Sequence, residues 1–164
     1  MRKKIADRLG EILGGHVERE RQRRRMKTRE RSEEERLRKR WDRKVETVLL
    51  PVFEEFVERL EEDGHLGRVV AEERAVGEGT HHYGEVKLQV IPKRFRREAL
   101  RDAETPSLTL ELDEHRQIVL LSRSTVLGKL GGEEGLAGEL ELSAVSKREV
   151  EDRLLALIEQ VFSK

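Results

Sequence analysis

A chain of 164 residues suits one domain of ordinary size with an appendage, long enough to bury a real core but too short for two full ones. Charged residues make up 41% and hydrophobic ones 35%, so a good part of the chain is expected to lie outside any core. Cysteine is absent, which excludes disulfides, thiolate metal sites and a cysteine nucleophile, and fits a reducing cytoplasm.

The formal net charge of zero conceals a division. Residues 1–45 carry 18 Lys and Arg against 9 Asp and Glu, whereas the rest carry 16 against 25. Such asymmetry marks a basic leader that meets nucleic acid, an anionic membrane, an acidic protein surface or the chain's own acidic body. No apolar run approaches the roughly 18 residues needed to cross a bilayer. The opening MRKKIADRLGEILGG mixes acids with apolar residues at helical spacing, unlike a signal peptide or an acid-poor transit peptide.

In chain order, Ile5, Leu9, Ile12 and Leu13 fall at i, i+4, i+7 and i+8, one stripe of a short helix that Gly14 and Gly15 are expected to end. About three turns are marginal alone in water, so this stripe needs a surface to lie on and is the expected partner-docking face. From Val17 to Arg36 there is no apolar periodicity, hence no coiled-coil seam. Arg19, Arg21, Arg23, Arg24, Arg25, Lys27, Arg29 and Arg31 scatter around the whole circumference of a helix. They are the candidates for contacts with phosphate or an acidic surface. Acid-to-base pairs such as Glu20 with Arg24 and Glu34 with Arg38 allow the segment to be helical without being packed.

Ser32 and Glu35 have capping-box spacing, and a helix over 32–62 is expected from there. Leu37, Trp41, Val45, Val48, Val52, Phe56 and Leu60 recur every three or four residues, with Leu49, Phe53 and Val57 beside them. Pro51 is expected to kink this helix or divide it, because it removes a backbone donor and crowds the preceding turn.

After Gly67 the period changes to two. RVVAEERAV reads as an edge strand; YGEVKLQVIP alternates Val86, Leu88 and Val90; SLTLELDEHRQIVLLS turns at DEHR into a second apolar run; LAGELELSAV reads as the last strand. Ser146 and Glu149 then cap a helix over 147–163. The expected fold is α+β: a mostly antiparallel sheet of four to five strands within 68–143, covered on one face by the long helix and the C-terminal helix. A charged helical arm, 1–31, precedes this domain, 32–164.

Chemistry is sparse. His81 and His82 are adjacent and point to opposite faces of any regular strand, and no metal-binding spacing accompanies them, so no metal or cofactor is expected. The carboxylates lie in outward-facing runs, and no nucleophile elbow exists. The loop GKLGGEEG lacks the phosphate-cradle order and carries two acids. In PKRFRREALRD, Lys93, Arg94, Arg96, Arg97 and Arg101 surround Phe95; an aromatic among arginines suits base stacking, but a surface segment anchored by Phe95 and Leu100 is the favoured reading.

The expectation is a non-catalytic interaction or assembly module that docks to a protein partner or to itself through the N-terminal helix. The alternative is binding of nucleic-acid backbone by the basic arm without sequence readout. Membrane-surface attachment by Lys3, Lys4 and Arg8 is disfavoured, because Asp7 and Glu11 share that short helix.

Overall fold

A computed structural model of the chain describes residues 2–77 and 79–163. Two compact units emerge, Met1–Arg36 and Leu37–Lys164. The first helix, α1 (Lys3–Lys44), contributes its residues up to Arg36 to the first unit and those from Leu37 to the second.

Two expectations fail along α1. The helix does not end at Gly14 and Gly15, which both remain helical. A glycine terminates a helix by turning left-handed, and neither takes a positive φ. The cost of about 1 kcal/mol per glycine is spread over a segment rich in Glu, Arg, Lys, Gln and Met, all good helix formers. The ion pairs Arg8–Glu11 (3.5 Å) and Arg23–Glu20 (3.6 Å) add local support. Nor does Ser32 cap anything. It lies inside the helix and its hydroxyl donates to the Thr28 carbonyl at 3.1 Å, because an uninterrupted upstream turn leaves no orphan N–H for a cap to satisfy.

In the second unit, α1 passes at Val45–Leu49 into a π-helical turn, followed by α2 (Leu50–Glu62). Pro51 was expected to kink or divide the helix here, and the α-helical pattern changes to this π turn while the backbone stays helical through Leu49 and Leu50. Pro51 falls in the first turn of α2, directly after the wider π turn that interrupts the regular hydrogen-bond ladder. The apolar stripe survives the change: Trp41, Val45, Leu49, Val52 and Phe53 are all buried.

The sheet is an antiparallel meander in the order β1-β2-β3-β4-β5, comprising β1 (Leu66–Ala75), β2 (His81–Ile91), β3 (Ser107–Asp113), β4 (Ile118–Ser124) and β5 (Glu134–Glu141). The strand expected at an edge, β1, is one. Register aligns Ala71, Val86, Leu110 and Leu121 across four strands, and Val69, Leu88 and Leu108 across three. That face forms the core with α2 and with α3 (Lys147–Phe162), whose Val150, Leu154, Leu157 and Val161 are buried. The Ser146 hydroxyl accepts from the Glu149 N–H at 3.2 Å, while the Glu149 carboxylate turns to Arg153 instead of returning to the cap. The β3–β4 turn falls at DEHR as expected, with the Asp113 carboxylate accepting from the N–H groups of His115 and Arg116, both at 3.1 Å.

The architecture is therefore α+β, a five-stranded antiparallel sheet with long N-terminal and C-terminal helices. None of its described helices is long and apolar enough to cross a membrane.

Candidate docking helix and two clefts of the sheet unit

On α1 the predicted docking residues share one face and are exposed: Ile5 by 53%, Leu9 by 42%, Ile12 by 54% and Leu13 by 55%. Val17, also exposed, extends the row Ile5, Leu9, Leu13, Val17 at intervals of four residues, with Ile12 flanking it. Beside this ridge runs a second row at the same interval, Ala6, Gly10 and Gly14. A Cβ built on Gly10 or on Gly14 meets nothing within 4 Å. Gly14 was expected, with Gly15, to end the helix, and Gly10 carried no expectation; the four-residue spacing of Ala6, Gly10 and Gly14 was the available sign that they share a face.

The basic residues behave differently. Arg19, Arg21, Arg23, Arg24, Arg25, Lys27, Arg29 and Arg31 are all exposed, and the helix distributes them around its axis instead of gathering them on one face.

In the sheet unit, His82 and His81 part as expected. His81 is exposed, whereas His82 turns its Nδ1 to Asp42 Oδ2 at 2.5 Å. The other oxygen of Asp42 accepts from the Tyr83 N–H at 3.0 Å, and Trp41 Nε1 donates to the Tyr83 carbonyl at 3.0 Å. One turn earlier, Arg38 holds Glu114 with two parallel hydrogen bonds of 2.6 and 2.9 Å. The Arg38 guanidinium keeps the Glu114 carboxyl below the usual carboxylate range, overcoming the opposing effect of partial burial.

His82, Tyr83, Arg38 and Glu114 border a cleft of about 520 Å³, which Asp42 and Trp41 do not line. A carboxylate that orients an imidazole is half of a general-base arrangement. Among the described residues, however, no serine, threonine or lysine lines the cleft, and both oxygens of Asp42 are engaged in joining α1 to β2. The arrangement reads as a clamp. Among the described residues no three His, Asp or Glu side chains gather as a metal site.

The second basic cluster is split. Phe95 and Leu100 pack against the core, as the favoured reading had it, and Arg101 pairs with Glu104 at 2.6 Å. Lys93, Arg94 and Arg97 instead line a second cleft with His65 and Phe162. Neither Asp42 nor Phe162 was marked as a functional candidate by periodicity. No family model, no curated protein and no solved structure matches the chain.

Proposed function

We propose that the chain is a non-catalytic assembly module that docks through the Ile5, Leu9, Ile12 and Leu13 face of α1 onto the same face of a second copy. The observation that carries this reading is the exposed aliphatic ridge lying beside a row of small residues, where a Cβ built on Gly10 or Gly14 meets no described atom within 4 Å. Glycine inside a helix is unfavourable by about 1 kcal/mol relative to alanine, and close approach of another backbone is the usual return for it. Ridges of four-residue spacing interdigitate when two helices cross at about −50°. A surface carrying both ridge and groove is self-complementary across a two-fold axis. Covering the ridge is favourable by roughly 1 kcal/mol or more for each half-exposed aliphatic side chain.

Sedimentation equilibrium of the full chain tests this. The expected result is a reversible dimer that Leu9→Asp and Ile12→Asp each dissociate. Gly10→Leu raises intrinsic helix propensity while filling the groove, so dimer loss in that variant cannot be ascribed to an unravelled helix. A wild-type chain that stays monomeric at the highest attainable concentration defeats the proposal.

One observation favours a second reading. The cations from Arg19 to Arg31 are exposed around the full helix circumference, which suits phosphate contacts made without a fixed orientation. With about six phosphates neutralised, log affinity for duplex DNA would fall with log salt at a slope near −5. A slope near zero removes that reading.

A further inference from the structure

The segment after β2 places four cations within five residues, Lys93, Arg94, Arg96 and Arg97, and its backbone is tightly fixed. The Phe95 N–H donates to the Pro92 carbonyl at 2.8 Å, and Phe95 packs against the core. The Lys93 N–H donates to His65 Nδ1 at 2.9 Å, and the Lys93 stem runs across Gly64. The Arg96 guanidinium donates to the Gly64 carbonyl at 3.1 Å. That last contact has a structural explanation, since Gly64 follows the end of α2, where carbonyls lack helical partners and the dipole favours a cation.

Lys93 and Arg97 have no such explanation, for among the described residues neither makes an ion pair. They border an open cleft of about 700 Å³ whose remaining lining is His65, Pro92, Arg94, Val161 and Phe162. Among the described residues, Lys93, Arg94, Arg96 and Arg97 line another recess of about 510 Å³. Among the described residues no carboxylate lines either. Lys93 and Arg97 both line the larger cleft and concentrate positive charge there, which attracts an anion.

The rest of the cleft is selective in a second way. Because His65 Nδ1 accepts from the Lys93 N–H, a neutral His65 ring carries its proton on Nε2 and offers a donor. Phe162 meets that ring edge to face, with centroids 4.6 Å apart at 68°, and is itself 39% exposed. The cleft therefore joins ammonium and guanidinium donors to an exposed aromatic wall.

We propose that this cleft binds a nucleotide unit, its phosphate held by Lys93 and Arg97 and its base lying against Phe162. Charge-assisted donors suit phosphoryl oxygens, and a ring face suits any base. The ligand is a free nucleotide or the terminal nucleotide of a single strand, which share this chemistry.

Isothermal titration calorimetry on the full chain distinguishes them, with ADP, inorganic phosphate and a short oligothymidylate as probes. Lys93 and Arg97 are exposed, so the double variant Lys93→Ala with Arg97→Ala leaves the core intact. Loss of charge-assisted hydrogen bonds is expected to weaken ADP by at least about tenfold in the double variant. Phe162→Ala is expected to weaken ADP while leaving phosphate unchanged. If ADP does not bind but the oligonucleotide does, and the double variant weakens it, the ligand is a strand. Oligonucleotide binding that ignores the double variant, with no ADP binding, belongs to the basic arm and overturns the proposal. Absence of binding by every probe overturns it as well, and so does phosphate binding as tight as that of ADP and indifferent to Phe162→Ala.

Discussion

Asp42 shows how much one side chain can hold in this protein. Its carboxylate satisfies the Tyr83 N–H and the His82 ring together, joining α1 to β2 where both groups are largely withdrawn from water. Asp42→Ala leaves a backbone donor and an imidazole without their acceptor. A loss of about 2–4 kcal/mol is expected in urea unfolding, against under about 0.5 kcal/mol for His81→Ala, whose side chain is exposed. Equal effects from the two substitutions would show that the clamp contributes nothing. The Arg38–Glu114 pair adds a pH dependence of known sign. Its native carboxyl is held below the ordinary value of about 4.5, so the native state releases this proton at lower pH than the unfolded state. The stabilisation is complete above that ordinary value and is lost as pH falls through the depressed one. Because the pair is partly open to solvent, about 1 kcal/mol or less is at stake, and Glu114→Gln is expected to flatten the acid limb of the stability curve below that ordinary value. None of these partners was legible in the sequence. Trp41 declared itself by helical spacing, but Asp42 stands in a charged run forty residues before His82, and no local pattern encodes a pairing of that range.

Elements were more legible than contacts, and the failures share one cause. The alternating Val86, Leu88 and Val90 and the leucines at 108, 110 and 112 identified their strands because a single buried face leaves a period of two. Pro51 identified a break in the α-helical pattern because its missing donor is a local fact. Gly14–Gly15 and Ser32–Glu35, by contrast, become a stop and a start only if the chain also leaves the helix there, and strong helix formers on both sides keep it in. Gly67, after which the period of the sequence changes to two, shows what a glycine does in a sheet. At Gly67, in β1, an added Cβ would lie 2.7 Å from Val57 Cγ2 and 3.2 Å from Val57 Cα, so α2 rests directly on the strand backbone. Gly67→Ala is expected to cost about 1–3 kcal/mol by forcing helix and strand apart. Val57→Ala in the same chain would recover only part of this, because the backbone contact remains. Thermal unfolding of the single and double variants measures that coupling, and full recovery would mean that the Val57 side chain alone, and not the helix backbone, carries the clash.

At the scale of the whole molecule, the hydrophobic core consists of residues from Leu37 to Val161, all within the second unit. The last turns of α1 are fastened there independently. Leu37 and Trp41 are buried, and Lys44 Nζ donates to the Val145 carbonyl at 2.8 Å. A chain beginning at Leu37 therefore keeps every buried apolar contact of that core, together with the Asp42 clamp and the Arg38–Glu114 pair. Its unfolding free energy is expected to lie within about 1 kcal/mol of that of the full chain at concentrations where the latter is monomeric, since surface helix removed from outside a core carries little of its stability. Association is expected to follow the opposite course. Where the full chain dimerises, its apparent stability rises with concentration by mass action, and the shortened chain should lose that dependence entirely. Denaturant midpoints measured over a hundredfold range of protein concentration separate the two effects. A large loss of stability that is independent of concentration would mean that residues 1–36 belong to the folding unit, while a concentration dependence that persists without them would move the assembly surface to the sheet unit.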